Sequence, residues 1–227
     1  MVQELGTKAD PIRDRITVDG RAARPTRLRY FAYHKPVGVV STLTDPEGRP
    51  AIGDVVRALR TPVFPVGRLD FESSGLVLLT NDGDLAQQLS HPRYGIPKVY
   101  RVKVRGHPEE RALLRMRRGL RLEDGMTAPA EVVVEEQLEK KTRLKVCISE
   151  GRQRQVRRMC EAIGHPVDRL SRVAIGPLKL GPLRTGEVRE LRGMEIEALQ
   201  RAVRRGPERD RGAEGARRTR GSRAAAK

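Results

Sequence analysis

One carboxylate stands where chemistry is usually placed. Asp70 lies near the start of the stretch Gly67-Arg68-Leu69-Asp70-Phe71-Glu72-Ser73-Ser74-Gly75. An apolar run ending in Pro65-Val66 precedes this stretch, and Leu76-Val77-Leu78-Leu79 follows it. Two strand-like segments therefore carry a short glycine-flanked loop, the kind of rigidly held loop that positions reacting groups. Taken alone, a loop aspartate most often accepts hydrogen bonds from turn amides. It becomes a nucleophile when a neighbouring cation keeps it ionised.

A second cluster supplies candidate cations. Glu150-Gly151-Arg152-Gln153-Arg154-Gln155-Val156-Arg157-Arg158 puts four arginines and two glutamines at a strand-to-helix junction. A helix N-terminus attracts phosphate through its free N–H groups and its dipole, and arginine forks add bidentate contacts. Arg154 and Arg158 are four residues apart and share a helix face, with Arg157 about a quarter-turn away. The plain alternative is a basic solvent-facing surface. Close backbone access at Gly151 and the hydrogen-bonding glutamines weigh against it. An arginine of this cluster is the candidate counter-ion for Asp70. No histidine adjoins Asp70 in sequence; His34, His91, His107 and His165 are scattered. A metal-dependent nuclease needs several convergent carboxylates, and Asp82 and Asp84 are better explained by the Asn81-Asp82-Gly83 turn.

The whole chain is built for a polyanion. Its 227 residues carry a formal net charge of +17, from 46 Lys plus Arg against 29 Asp plus Glu. Nucleic acid is the partner such an excess implies. A membrane partner is not expected, because no long apolar span or basic amphipathic anchor is visible. The N-terminus shows no signal-peptide apolar region, so a cytoplasmic protein is expected. Cys147 and Cys160 are too few for a disulfide framework or a zinc site and read as buried thiols. With three Phe, four Tyr and no Trp, the core must be mostly Val, Leu, Ile and Ala.

The elements that position these groups mix strands and helices without regular alternation. Strands are expected over Arg29–Val40, broken at Lys35-Pro36-Val37-Gly38, and over Val63–Val66, Leu76–Leu79 and Tyr100–Val104. A hairpin is expected from Glu131–Glu136 and Arg143–Ser149, with further short strands at Val167–Ile175 and Leu178–Leu183. Helices are expected at Ile52–Leu59, at Leu85–Leu89 capped by Asp84, at Gln155–Ile163 and at Glu195–Val203. A further amphipathic helix, Pro108–Leu120, turns Leu113, Leu114 and Met116 inward and Arg111, Arg115 and Arg118 outward. This mixture favours an α+β fold with a largely antiparallel sheet. Residues 1–24 hold a turn and a short strand but too few apolar residues for a core of their own. From Arg204 on, apolar periodicity stops. Nine basic against three acidic residues give this tail a net +6, and its composition is that of a disordered basic end.

Taken together, the motifs resemble a known family. Lys35-Pro36-x-Gly38 is followed in order by Gly67-Arg68-Leu69-Asp70, Gly75-Leu76-x-Leu78-Leu79-Thr80-Asn81-Asp82-Gly83, His91-Pro92, Lys98-Val99-Tyr100 and Glu150 through Met159. This series is similar to the bacterial ribosomal RNA pseudouridine synthases of the RsuA/RluB group and covers about residues 15–195. Gln153 stands where the group usually has Asn, and serines stand at 73 and 74 near its usual Thr. The resemblance implies a long, mostly antiparallel mixed sheet in two subdomains, with flanking helices and a central cleft. It implies that Asp70 is the nucleophile, that Tyr100 lies against the target base, that Arg157 pairs with Asp70, and that Lys35 lines the cleft. Arg68 would hold the phosphate of a displaced nucleotide, and Arg152, Arg154, Gln155 and Arg158 the flanking backbone. The reaction would break the N-glycosidic bond of a uridine, rotate the uracil and rejoin it through carbon 5, with no cofactor and no metal. The implied partner of this monomeric protein is ribosomal RNA, more specifically large-subunit RNA, or a ribosomal precursor particle. Such enzymes commonly begin with an S4-type RNA-binding module, of which residues 1–24 would be a remnant, with 25–203 the catalytic domain. A non-catalytic assembly factor of the same fold is the alternative.

Overall fold

The run Leu76-Val77-Leu78-Leu79 has no polar alternation, so both faces of its strand must be covered. The computed structural model describes residues 26–206, with Asp14, Thr17–Val18 and Arg21–Ala22, and bears this out. In chain order the strands begin with β1 (Thr17–Val18), β2 (Arg21–Ala22), β3 (Tyr30–Lys35), β4 (Phe64–Val66) and β5 (Ser74–Thr80). They continue with β6 (Lys98–Arg105), β7 (Arg121–Leu122), β8 (Gly125–Met126), β9 (Glu131–Gln137) and β10 (Lys141–Ile148). The last are β11 (Val167–Ile175), β12 (Leu178–Lys179) and β13 (Val188–Glu190). Helices are α1 (Ile52–Leu59), α2 (Gly83–Ser90), α3 (Glu110–Arg118), α4 (Gln155–Ala162) and α5 (Gly193–Arg205).

One long sheet runs in the order β13-β3-β5-β11-β6-β10-β9, with β4 added to β5 and β12 to β11. Every pairing in it is antiparallel except β5 with β11, which matches Ser74 to Ser171 and Gly75 to Arg172. In the half around β3 and β5 both faces are dry. Tyr30, Ala32, Leu76 and Leu78 face α2 and α5 residues such as Leu89 and Leu199. Phe31, Tyr33, Val77 and Leu79 face the opposite way, toward Ile52, Val63 and Leu69. In the other half only one face is covered. Val102, Val104, Leu144, Val146 and Ile148 pack against Leu113, Met116, Val156 and Met159 from α3 and α4. Alternate residues such as Arg101, Arg105 and Lys145 stay in solvent. This is the α+β, mostly antiparallel architecture that the pattern and the resemblance imply.

Several local expectations change. Asp82, not Asp84, caps α2, because its side chain reaches the Leu85 amide at 3.0 Å while also accepting from the Tyr30 hydroxyl at 2.7 Å. Leu114 is 39% exposed. Leu113 and Met116, three residues apart, already fill the inward stripe of α3, and Leu114 sits some 100° round from its neighbour. The strand expected over Leu178–Leu183 shortens to Leu178–Lys179, since Gly181 turns the chain with φ 61°. Cys147 is only half-buried, on the half-covered sheet. Helix α5 continues to Arg205, so Arg204 and Arg205 are helical. The expected disordered tail beyond 206 and most of the expected N-terminal remnant lie outside the described residues.

Gly75 sits at the parallel junction of β5 and β11 with φ 114°. A Cβ there would fall 2.3 Å from the Arg172 carbonyl oxygen. Gly75→Ala is therefore expected to lower stability by about 2–3 kcal/mol, read from urea unfolding.

Candidate active site

The site opens where the edge of β5 is shared. Along one edge β5 pairs with β3 over its length, from Lys35↔Gly75 to Tyr30↔Thr80. Its other edge is divided. β11 takes Ser74 and Gly75, and β4 takes Leu78, Leu79 and Thr80. The loop from Gly67 to Ser73 leaves the sheet next to this division. The Leu76 carbonyl in the gap accepts a 2.8 Å hydrogen bond from Nε of Arg172.

Asp70 is held by bracing on both sides. Leu69 is buried beneath the loop. Its carbonyl accepts from the Ser41 hydroxyl at 2.7 Å, and its amide donates back to the same oxygen at 3.1 Å. The Phe71 carbonyl accepts from the Gly38 amide at 2.9 Å, and the Ser73 amide donates to the Asp70 carbonyl at 3.0 Å. Arg157 then latches the far side, donating 2.9 Å to the Glu72 carbonyl and 3.3 Å to the Ser73 hydroxyl. The Asp70 side chain itself is only partly buried and lines a cavity of about 320 Å³. Sharing the walls are Arg68, Lys98, Tyr100, Arg172 and the turn from Gly151 to Val156 that opens α4. Strand pairing brings three of these together, since β11 and β6 match Arg172 to Tyr100 and Ile175 to Lys98.

The arginine cluster works differently from its sequence reading. Arg157 does not pair with Asp70. Its buried guanidinium is turned onto Glu72 and Ser73, so it acts as a latch on the loop. Arg154 and Arg158 do not share a target. Arg154 reaches the Glu72 carboxylate at 3.2 Å, while Arg158 grips both oxygens of Asp124 at 2.9 Å. Arg152 bonds to the carbonyls of Asp124, Gly125 and Met126 and pairs with Glu150. Gln155 is buried and bonds to Glu150 and the Arg152 amide, which makes it a brace for the turn. Residue spacing could not show these partners, because Asp124 and Glu72 lie far away in sequence. Arg68 is exposed at the cavity wall and, among the described residues, forms no ion pair.

Lys35 is not at the cleft surface either. It is fully buried, and its ammonium donates to the carbonyls of Pro36 at 2.8 Å and Val39 at 2.7 Å. Burial pulls its pKa down to about 8, the charge of Asp70 opposes that fall, and Arg172 adds to it. It thus supplies a positive charge from beneath the Asp70 loop. Lys98 and Arg172, neither singled out as a site residue by the sequence, are 8% and 4% exposed. The Lys98-Val99-Tyr100 motif pointed at the first; Arg172 carried no local signal, since only pairing across the sheet places it beside Tyr100. Among the described residues, Asp70 is the only carboxylate on the cavity wall.

With this geometry in place, comparison with known proteins is direct. The family model described as RNA pseudouridylate synthase matches residues 29–162. An RNA pseudouridine synthase of Aquifex aeolicus is 43% identical over 204 residues, spanning 89% of this chain and 82% of that one. The ribosomal large subunit pseudouridine synthase B of Bacillus subtilis is 42% identical over 203 residues, 88% of this chain and 82% of its own. A crystal structure of a pseudouridylate synthase superposes with a TM-score of 0.69 at 33% identity, covering 78% of this chain and 76% of that one. The chain belongs to the RNA pseudouridine synthase family, within its bacterial RsuA/RluB group. It is an isomerase that converts uridine in RNA to pseudouridine.

Two outcomes follow from the bracing. Arg157→Ala removes the latch on the loop and should lower kcat by about 100-fold while RNA affinity changes less than about threefold, as measured by single-turnover kinetics and filter binding. Lys35 is protonated in the unfolded chain up to about pH 10.5 but only to about 8 when folded. Between those values the unfolded state binds more protons, so this residue makes stability rise with pH. Lys35→Met should flatten that rise in urea unfolding midpoints taken from about pH 7.5 to 10.

Proposed function

We propose that this enzyme isomerises a uridine of large-subunit ribosomal RNA, with Asp70 as the nucleophile. The observation that carries the assignment is Asp70's isolation: among the described residues it is the one carboxylate on a cavity wall otherwise supplied with cations. Its loop is pinned on both sides by Ser41, Gly38 and Arg157, as pre-organisation of a reacting group requires. Among the described residues no group of three His, Cys, Asp or Glu side chains converges, so nothing draws the reading toward a metal-dependent nuclease.

The substrate assignment rests on the relatives named as large-subunit synthases and on charge. The synthase B of Pseudomonas aeruginosa, 40% identical over 210 residues, joins that of Bacillus subtilis. The cavity is far too small for a duplex, so the target nucleotide must leave its stack to enter. Tyr100 then lies on the wall where the base enters, and Arg68, the exposed cation at the wall, takes a phosphate. Phe71, the residue after Asp70, is 45% exposed, whereas Phe31 is buried and Phe64 packs against a core. An aromatic left in solvent beside the site suits an RNA base better than a protein interior. With Lys35 beneath it, the Asp70 carboxylate engages the nucleotide, the bond from ribose to N1 breaks, and the uracil turns and rejoins through carbon 5. Residues 25–203 form the catalytic unit in this reading. No helix among the described residues is long and apolar enough to cross a membrane.

The test is pseudouridine mapping of an unmodified large-subunit rRNA transcript and of precursor particles. Wild type should introduce pseudouridine, and Asp70→Ala and Asp70→Asn should each lower turnover by at least about 10⁴-fold with folding intact. Turnover that survives both substitutions removes Asp70 from the nucleophile's role.

A further inference from the structure

Two buried cations on the cavity wall have no acidic partner among the described residues. Among the described residues the Lys98 side chain, at the start of β6, makes no hydrogen bond or ion pair, and the Arg172 side chain, on β11, makes one hydrogen bond, to the Leu76 carbonyl. One terminal nitrogen of the Arg172 guanidinium, Nη2, is buried without any hydrogen-bond partner. Charges removed from water in this way are costly unless something compensates them. The groups facing Lys98 offer no such compensation within the fold. They are Arg172 and Ile175 from β11, Ile148 from β10, Leu89 and Ser90 from α2, and the Arg152–Val156 turn, with Asp70 across the cavity.

We propose that Lys98 and Arg172 form a subsite that holds the detached uracil as an anion, through its carbonyl oxygens. This rests on the isomerase reading of the same cavity. When the bond from C1′ to N1 breaks heterolytically, its electron pair stays on N1. The uracil then carries a negative charge delocalised over both carbonyl oxygens. C1′ is taken up by the Asp70 carboxylate oxygen. Rejoining uses an electron pair at carbon 5 to form the bond to C1′ as the bond from C1′ to Asp70 breaks and its electron pair returns to the carboxylate. Carbon 5 then loses its proton and N1 gains one, so the overall step is an isomerisation with no net proton change. Between the two bond changes the base is a free anion that must stay bound yet turn. A pair of donors in a desolvated pocket stabilises charge that appears only in this interval. Placement separates this ligand from a backbone phosphate, which has the same charge. Phosphates remain on the chain toward solvent, where the exposed Arg68 stands on the cavity wall, whereas Lys98 and Arg172 are almost wholly buried on that wall.

Kinetics on an rRNA transcript bearing the target uridine distinguish the two ligands. Lys98→Met should lower kcat at saturating RNA by about 100-fold and leave the dissociation constant and its salt dependence within about twofold. Lys98→Arg keeps the charge and should recover most of the rate. Burial and Arg172 bring the Lys98 pKa down to about 8. Wild-type kcat should therefore fall roughly tenfold by about pH 9 from Lys98 alone, and Lys98→Arg should remove that share, leaving only what Lys35, also brought down to about 8, contributes. An unchanged kcat in Lys98→Met, or weaker binding with a smaller salt slope and normal kcat, overturns the subsite. Should Lys98→Met prove unfolded by circular dichroism, the Lys98→Arg profile decides alone: an alkaline limb that stays in place overturns the proposal. An inactive wild type refutes the isomerase reading; an active wild type that does not need the charge at position 98 refutes only the subsite.

Discussion

The divided edge of β5 organises the molecule. A strand with one neighbour for its first two residues and another for its last three leaves a gap at Leu76, and backbone polar groups in a dry core must still be satisfied. Arg172 fills that need with its side chain, reaching across from β11 to the Leu76 carbonyl. The approach is possible because Gly75 has no Cβ to collide with the Arg172 backbone. The result is both a seam between the two halves of the sheet and the wall of a cavity. That guanidinium is anchored through Nε, and its Nη2 stays buried without a hydrogen-bond partner.

From that seam the electrostatics follow. The Asp70 loop must leave the sheet next to the division, so the carboxylate emerges beside buried cations rather than beside other acids. Lys35 lies below, tied to the Pro36 and Val39 carbonyls, while Lys98 and Arg172 lie on the wall. Burial alone would tend to protonate a carboxylate and deprotonate a lysine. The charge of Asp70 offsets part of the desolvation of Lys35, whereas Arg172 adds to that of Lys98. The surface arginines of the second cluster serve another purpose. By bonding to Glu72, Asp124 and the turn at 124–126, they fasten the start of α4 to the Asp70 loop on one side and to the β7–β8 hairpin on the other. Individually such exposed pairs contribute little stability; their effect is geometric, because they fix the mouth of the cavity.

Much of this was legible in the residues. The unbroken apolar run at 76–79 announced a strand covered on both faces, and alternation in Tyr100–Val104 announced one covered on a single face. The glycine-flanked loop, the hairpin and the helix after the arginine cluster all stand where periodicity placed them. The errors are of one kind. Asp84 is the cap expected beside the Asn81-Asp82-Gly83 turn, and only the Tyr30 contact and the reach to Leu85 show that Asp82 fills that place. Apolarity puts Leu114 inward but does not reveal which of two adjacent residues the facing sheet has room for. The resemblance implies that Arg157 pairs with Asp70, and only the folded chain shows its guanidinium on the Glu72 carbonyl.

The sequence by itself determined the chemistry on offer: a lone aspartate in a rigid loop, an excess of arginine, and an order of motifs that names the family. Those properties depend on residue type and on separations of a few residues, which the chain carries directly. Tertiary structure decided which cation serves which function. Lys35 went beneath the loop, Arg157 became its latch, and Lys98 and Arg172 became the polar wall. Those roles depend on strand register across separations of up to about a hundred residues. Register is set by the fit of whole faces in the core, and no short stretch of sequence contains that fit.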